Sequence, residues 1–433
     1  MIAKLILDKK REGHALGSAE IREFIEGFTR GEIPDYQMAA LAMAICCRGM
    51  NERETADLTD AMMRSGRLLE WQEPTADKHS TGGVGDKLSL VIQPLAAACA
   101  VAVPSLTGRG LGLTGGTADK LETIPGYSCS QALGRFQEIV RTTGVSLAVQ
   151  TDEMTPADKK LYQLRDVTGT VTSIPLIVAS ILSKKLAEGA HTLVFDVKAG
   201  SGAFMKTREE AVELAKALVA GAKAAGRSSA ALVTDMSAPL GFAVGNAIEV
   251  AEAIAILKGE ADARLSEVTA LCIEFAALMV SLELGMSVEE ARKLAERRLS
   301  EGAAWEKFAT MVAAHGGDLE AFDALLRKPV FKFRVQAMRS GYVAEIDAEK
   351  VARAAFLLGA GHQTAGDRID PLAGVELAVV RGERVATGAP LATLQASFSP
   401  DGLEKAAAEL LKAFRIVSER PEATGLVIER IGL

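Results

Sequence analysis

The chain has 433 residues, of which 48% are hydrophobic and 24% are charged, and its formal net charge at pH 7 is −7. This length and composition are typical of a globular protein with two or three domains. The negative charge argues against a nucleic-acid partner held by bulk electrostatics, so any bound anion must be held at a local site.

The cysteines and the apolar segments of the sequence predict the cellular compartment of the protein. The five cysteines are an odd number, and none lies in a CxxC or Cys/His spacing typical of a metal site. We therefore expect reduced thiols in a cytoplasmic protein without a zinc site. The N-terminal apolar run is too short for a signal peptide. Residues 88–106 are apolar, but Gln93, Pro94 and Pro104 interrupt them, so we expect a buried core segment and no membrane partner.

Helices are predicted over residues 1–70. Ser18 is expected to cap one helix, and residues 36–47 are apolar nearly all round, which is typical of a buried helix. Asn51, with Glu54 three residues later, resembles a capping box at the start of the next helix. We assign this region to the first part of a helical domain.

The rest of the chain alternates between two kinds of pattern. Short apolar runs separated by glycine-rich turns indicate an α/β domain, and a helical insert that interrupts it is expected to pack on the N-terminal helices. A final region of short β-rich runs indicates a strand-rich unit. The predicted α/β fold class therefore has a helical domain (1–70 and 156–192), an α/β domain (71–155 and 193–335) and a strand-rich C-terminal subdomain (336–433).

Two glycine-rich stretches predict an anion site. The first, KHSTGGVGDKLSL at 78–90, places a Lys, a His, two hydroxyls and three glycines within its first eight residues. The second is TGRGLGLTGGT at 107–117. Glycines let the backbone approach an anion and direct its N–H groups toward it, and hydroxyls with one cation complete a phosphate site. The alternative is that these glycines only form tight turns of an α/β sheet. Neither stretch has the spacing of a P-loop or of a dinucleotide fingerprint.

Five stretches, taken in order, resemble the motifs of the pyrimidine-nucleoside phosphorylases, the family of thymidine phosphorylase. They are KHSTGGVGDKLSL, TGRGLGLTGGTADKLETIPG, LYQLRDVTGTVTSIPLIVASILSKKLAEG, FDVKAGSGAFM and TDMSAPLGFAVGNAIEVAEA. The resemblance implies a two-lobed nucleoside phosphorylase fold, in which a small helical domain faces a large mixed α/β domain across a cleft. It also implies a homodimer.

The same resemblance implies an activity. Members cleave pyrimidine nucleosides (uridine, thymidine, deoxyuridine) reversibly to the free base and (deoxy)ribose 1-phosphate, in pyrimidine salvage. Orthophosphate is the co-substrate, and we expect no cofactor or metal. Carried over by position, phosphate binding falls on Lys78, Ser80, Ser89, Thr107 and Thr117. Base binding falls on Arg165, Ser180 and Lys184. The catalytic residues implied are His79, Arg165 and Lys184.

These residue types suit the chemistry. The base leaves with negative charge that spreads onto its two ring carbonyl oxygens, so donors aimed at those oxygens stabilise the transition state. Arg165 and Lys184 suit one carbonyl, and His79 suits the other as a donor or as a proton source. The protein has to position the phosphate but does not have to activate it. Ser180 and Lys184 are four residues apart on a predicted helix and therefore share a face.

Three positions depart from the family pattern. Thr107 stands where Ser is usual, which keeps a hydroxyl. Leu113 stands where His is common, which leaves substrate preference open. Some bacterial members hold a monovalent cation, and Lys87 stands at the Thr position of that site, whose other matching positions are Gly85, Leu240, Ala243 and Glu252. A Lys ammonium in the place of the ion would pair with Glu252, so we expect no potassium requirement.

Three alternatives remain at this point. A phosphoribosyltransferase of the same fold would bind a diphosphate through Mg²⁺ and would need an acidic pair, for which the sequence offers no convincing candidate. A nucleoside-monophosphate phosphorylase would tend to carry an additional N-terminal domain. A catalytically silent binder would not need the cations and the histidine. The preference between uridine and thymidine and the physiological direction stay open.

Overall fold

The computed structural model describes residues 3–110, 113–361 and 369–433. Four helices open the chain, with the bounds α1 Ala3–Arg11, α2 Ser18–Thr29, α3 Asp35–Arg48 and α4 Glu52–Met63. The capping box predicted at Asn51 and Glu54 is confirmed, since both reciprocal hydrogen bonds are present at the start of α4.

Two expectations for these helices are wrong. Gly17, rather than Ser18, is the N-cap of α2, because the carboxylate of Glu20 accepts from the Gly17 N–H and so performs the capping. Helix α3 is buried on one side only, since Tyr36 is 74% exposed and Met43 is 44% exposed. An apolar composition therefore did not imply burial all round.

The next segment alternates strands and helices. Its elements are β1 Ala76–Ser80, α5 Leu88–Ala98, β2 Val103–Thr107, α6 Thr117–Leu121, α7 Leu133–Thr143 and β3 Val145–Val149. Helix α5 is buried along most of its length, as expected for residues 88–106. The glycine-rich stretches begin where β1 and β2 end.

Two further helices, α8 Pro156–Thr168 and α9 Ile174–Ala187, complete the helical domain. Ala157 and Leu161 of α8, with Leu176 and Ala179 of α9, are buried in one apolar cluster with side chains of α1–α4. The insert therefore packs on the N-terminal helices, as the sequence pattern indicates.

The second α/β segment follows. Its elements are β4 Thr192–Ala199, α10 Arg208–Ala224, β5 Ser228–Asp235, β6 Ala243–Gly245, α11 Asn246–Lys258, α12 Ser266–Leu284, α13 Val288–Ser300, α14 Ala303–Ala314 and α15 Leu319–Leu326. The segment Ala263–Leu284, which includes α12, is long and apolar enough to cross a membrane, but 61% of its apolar window is buried inside the protein. Helix α12 is thus a core helix, packed against α5 and α13.

The C-terminal region is strand-rich, as predicted. Its elements are β7 Phe331–Gln336, β8 Gly341–Ile346, α16 Ala348–Leu357, β9 Gly374–Leu377, β10 Arg384–Val385, β11 Pro390–Ala396, α17 Leu403–Leu411, β12 Phe414–Val417 and β13 Val427–Ile431. The strands form two antiparallel sheets of order β6-β9-β11-β7 and β10-β8-β12. The final strand, β13, leaves this region and pairs antiparallel with β5.

The main sheet positions the site. Its strand order is β1-β4-β5-β13, and β1, β4 and β5 are parallel. A parallel bridge between Thr75 and Ala102 brings the parallel pair β2-β3 beside β1. Because parallel strands end at the same edge, the loops after β1 and β2 emerge side by side, where ligands of open α/β sheets bind.

Candidate active site

A cleft of about 1300 Å³ lies between this edge of the sheet and helices α8 and α9. All nine residues that the resemblance implicates in binding or catalysis border it: Lys78, His79, Ser80, Ser89, Thr107, Thr117, Arg165, Ser180 and Lys184. The structure therefore brings together, in one cavity, residues that lie more than 100 positions apart in the chain.

The first glycine loop is held by its own side chains. The Ser80 hydroxyl donates to Asp86 Oδ2 at 2.6 Å and accepts from the Gly82 N–H at 3.1 Å. Burial opposes ionisation of Asp86, but the ammonium groups of Lys198 and Lys78 outweigh it and hold the pKa of this carboxyl well below its usual range. Asp86 is therefore a buried anion that orients Ser80.

The second glycine loop offers fewer free N–H groups than the sequence suggested. Asp119 Oδ2 accepts from the Gly110 N–H at 2.6 Å and from the Gly116 N–H at 2.9 Å. Two of the N–H groups expected to face an anion are thus already paired. Thr107 and Thr117 remain at the cleft, at the end of β2 and the start of α6.

Lys78 is a buried cation at this edge of the sheet. Its side chain is 0% exposed, and Nζ lies 2.9 Å from Asp196 Oδ2. Burial alone would lower the pKa of Lys78, but Asp196 and Asp86 raise it above its usual value. The Lys78 ammonium therefore keeps its charge, and in this structure the charge is directed at Asp196.

His79 lies next to Lys78 on β1, in a region of positive charge. Burial, and then the neighbouring Lys185, Lys184 and Lys78, hold the pKa of His79 well below its ordinary value of 6.5. The imidazole is therefore neutral at pH 7. A neutral ring can donate one hydrogen bond, but it is a poor source of a proton.

Some of the N–H groups of Arg165, on α8, donate hydrogen bonds within the protein. Its guanidinium donates to the carbonyls of Thr170 at 3.3 Å, Val171 at 2.7 Å and Leu176 at 3.0 Å. These contacts hold the turn between α8 and α9. A guanidinium has five N–H groups, so two remain for a ligand.

Ser180 and Lys184 share a face of α9, because the Lys184 ammonium donates to Ser180 Oγ at 2.9 Å. It also donates to Asp158, a buried carboxylate of α8 that sequence reasoning missed. Burial lowers the pKa of Lys184, although Asp158 opposes the shift. Asp158 precedes Arg165 by seven positions, two helical turns, and this spacing could have identified it as a cleft residue.

Sequence reasoning also missed a second set of charged residues, Lys185, Asp77 and Glu188, which lies beside the cleft. Lys185 pairs with Asp77, and its ammonium also donates to Glu188 Oε2 at 3.1 Å and to the Leu106 carbonyl at 2.8 Å. Burial, and then the charge of Asp77, raise the pKa of Glu188 well above its usual range. These contacts join α9 to β1 and β2.

Lys87 occupies a ring of oxygens. Its ammonium donates to the carbonyls of Leu240 at 2.7 Å and Ala243 at 3.1 Å, and it pairs with the carboxylate of Glu252. The three N–H groups of the ammonium thus have three oxygen acceptors. Gly85 has a φ of +68°, and a Cβ there would lie 2.7 Å from the Leu240 carbonyl, so only glycine fits this turn.

Leu113 borders the cleft and is half-buried against the main core. Its apolar side chain therefore contributes to the wall of the cavity rather than to a polar contact.

Comparisons with known proteins agree with this geometry. Three family models match the chain: the helical bundle domain of the glycosyl transferase family at 4–66, the a/b domain of that family at 72–305, and the pyrimidine nucleoside phosphorylase C-terminal domain at 342–417. The solved structure of anthranilate phosphoribosyltransferase from Thermus thermophilus is 23% identical with a TM-score of 0.59, covering 73% of this chain and 99% of that one. This likeness shows the two-lobed fold.

The curated relatives are much more similar. The pyrimidine-nucleoside phosphorylase of Geobacillus stearothermophilus is 45% identical over 432 residues, which are 98% of this chain and 99% of the relative. That of Bacillus subtilis is 46% identical over 420 residues, 96% of each chain. The chain therefore belongs to the pyrimidine-nucleoside phosphorylase family.

Proposed function

We propose that this protein catalyses the reversible phosphorolysis of pyrimidine nucleosides to the free base and (deoxy)ribose 1-phosphate, a pentosyltransferase reaction of pyrimidine salvage. The observation that carries the proposal is the composition of the cleft. Hydroxyls and a buried lysine at the edge of the sheet face Arg165, Ser180 and Lys184 of the helical domain. This arrangement suits a phosphate on one side and a pyrimidine on the other.

Orthophosphate is the co-substrate in this proposal, and no further cofactor or metal takes part. A phosphate oxygen forms the new bond to C1′ of the sugar while the bond from C1′ to the pyrimidine nitrogen breaks, and the base leaves with the bonding electrons. The hydroxyls of Ser89, Thr107 and Thr117 orient the phosphate, with Lys78 as its cation. Ser80 joins them when its hydroxyl proton turns from Asp86 to a phosphate oxygen. Positioning of the phosphate against C1′ contributes most of the rate enhancement, because phosphate is already a nucleophile.

The charge on the leaving base is stabilised from the helical side. The two free N–H groups of Arg165 and the third ammonium proton of Lys184 are directed at one ring carbonyl. His79 donates to the other carbonyl as a neutral imidazole, because its pKa is depressed. Of the two roles considered for His79, we propose the hydrogen-bond donor, because a lowered pKa makes the imidazole a poor proton source.

We propose uridine, thymidine and deoxyuridine as substrates. Leu113 adds apolar surface to the wall of the cleft, and such a wall discriminates only modestly between nucleosides that differ by a methyl or a hydroxyl group. The activity therefore resembles that of a pyrimidine-nucleoside phosphorylase of broad specificity more than that of a dedicated thymidine phosphorylase.

Base release from uridine, thymidine and cytidine, followed by ultraviolet absorbance with and without orthophosphate, tests the proposal. We expect release from uridine and thymidine only when phosphate is present. Release without phosphate would indicate a hydrolase and would remove the role given to Lys78. No release from any nucleoside would favour a Mg²⁺-dependent transferase or a silent binder.

The neutral state of His79 predicts a pH profile. Because its pKa lies well below 6.5, kcat/KM should show no inflection from this residue between pH 6 and pH 8. His79→Ala should lower kcat by about 10²- to 10³-fold, as for the loss of one transition-state donor, and His79→Gln should lower it less. An inflection near pH 6.5 that His79→Gln abolishes would show instead that the imidazolium acts as an acid.

Lys87 predicts independence from potassium. Turnover of the natural chain should be equal in sodium and potassium buffers of the same ionic strength, because the ammonium already fills the oxygen ring. Lys87→Thr should create a potassium-activated enzyme, since a hydroxyl then joins two carbonyls and a carboxylate. Lys87→Met is the matched control. It removes the counter-ion of Glu252, which still accepts from the Phe242 N–H at 2.9 Å, so it should lower the free energy of unfolding and should gain no response to potassium. Strong potassium activation of the natural chain would contradict this account.

We further propose a cytoplasmic homodimer. All five cysteines are free thiols, as expected in a reducing compartment. Tyr36, Ala40, Met43 and Cys47 of α3 are all exposed and, at spacings of four and three, form one apolar stripe on the outside of the helical domain. A second copy of the chain, packed on this stripe, would remove it from water.

Substitution within the stripe tests the dimer. Met43→Lys should shift the protein from dimer to monomer in sedimentation velocity, because it places a charge at the centre of the apolar contact. Met338→Lys is the control, since Met338 is more exposed but lies in the C-terminal region. A monomeric natural chain, or a Met43→Lys protein that stays dimeric, would contradict the proposed interface.

A further inference from the structure

A buried cluster of charges lies beneath the first glycine loop. Lys198 and Asp196, on β4, have side chains that are 0% exposed, and Lys198 Nζ lies 2.7 Å from Asp196 Oδ2. The Lys78 ammonium lies 2.9 Å from the same carboxylate oxygen. Two ammonium groups therefore share one carboxylate oxygen, and all three side chains are buried.

The ammonium groups of this cluster have unused donor capacity. Within the described part of the chain, neither Lys78 Nζ nor Lys198 Nζ makes a directed hydrogen bond, although both lie at ion-pair distance from Asp196. The other carboxylate oxygen of Asp196 accepts from Thr234 Oγ1 at 2.7 Å. Buried donors without an acceptor are costly, so this arrangement is suited to an additional anion at the adjacent loop.

Charge balance explains why two lysines are present. Lys198 Nζ is also 4.0 Å from Asp86 Oδ2, so two cations, Lys78 and Lys198, face two carboxylates, Asp196 and Asp86. If Lys78 turned toward a phosphate and no other cation were present, Asp196 would be a buried, unpaired carboxylate, which is strongly unfavourable. With Lys198 in place, Asp196 keeps a counter-ion.

Lys198 is also tied to the loop through its backbone. Its N–H donates to Thr81 Oγ1 at 3.0 Å, and the Thr81 N–H donates to the Asp196 carbonyl at 3.0 Å. The register of β1 and β4 thus fixes Lys198 relative to the residues that start the glycine loop.

We propose that Lys198 is a positioning residue for phosphate: it neutralises Asp196 so that Lys78 can transfer its ammonium contact from this carboxylate to the phosphate. This inference rests on the proposed function. It assigns to Lys198 no contact with the substrate, and its effect passes entirely through Asp196 and Lys78.

The test is a double-mutant cycle of Lys198→Met and Asp196→Asn, with KM for phosphate, KM for uridine and kcat measured separately. Lys198→Met should raise KM for phosphate by about tenfold or more, because Asp196 then retains Lys78, while KM for uridine changes little. Adding Asp196→Asn should restore KM for phosphate to within about threefold of the natural chain, because the competing carboxylate is gone.

Lys10→Met provides a matched control. Lys10 is also a buried lysine in an ion pair, with Glu54 at 2.8 Å, but it lies in the helical domain away from the cleft. This variant should lose thermal stability without a change in KM for phosphate. If Lys10→Met raised KM for phosphate as much as Lys198→Met does, the effect of Lys198→Met would reflect general destabilisation.

One outcome overturns the inference directly. If the double variant keeps the raised KM for phosphate, Lys198 acts independently of Asp196. Should Lys198→Met alone fail to fold, the comparison of Asp196→Asn with the double variant decides, since Lys198 should matter little once Asp196 is neutral. Phosphate binding measured by calorimetry without nucleoside gives the same cycle independently of turnover. Absence of phosphate-dependent cleavage in the natural chain would instead refute the proposed function.

Discussion

The buried ammonium groups of the cleft are paired with carboxylates, and the arrangement of the surrounding elements depends on these pairs. Lys78, Lys184 and Lys185 are each paired with a carboxylate from another element, Asp196, Asp158 and Asp77 respectively. Desolvation makes an unpaired ammonium or carboxylate strongly unfavourable, so each pair also fixes the distance between two elements. The same pairs hold the cations ready for an anionic ligand, which can replace a carboxylate as partner.

The two lobes supply different parts of the site. The end of the parallel sheet supplies the hydroxyls and Lys78, and helices α8 and α9 supply Arg165 and Lys184. His79 lies at the border, on β1, where burial and then the surrounding lysines lower its pKa and keep it neutral. A reaction that moves negative charge from an attacking phosphate to a leaving base needs positive groups at both ends, and this division provides them. Closure of the lobes would exclude water from the reacting atoms.

Local patterns in the sequence were enough to predict the strand-rich C-terminal region, the packing of the insert and the two glycine loops. Contacts between distant residues were not predictable in this way. The pairing of Lys78 with Asp196 depends on the register of β1 against β4, which no local pattern specifies. Asp119 accepts from the Gly110 and Gly116 N–H groups, and this pairing emerges only from the folded loop. Tyr36 and Met43 show that an apolar helix need not be buried within one chain.

The most direct test of the account is a crystal structure with orthophosphate bound. The account predicts phosphate density among the hydroxyls of Ser80, Ser89 and Thr117, with Lys78 Nζ at hydrogen-bond distance from a phosphate oxygen and Lys198 still paired with Asp196. Phosphate bound elsewhere in the cleft, or a Lys78 ammonium that stays on Asp196 while phosphate is bound, would contradict it.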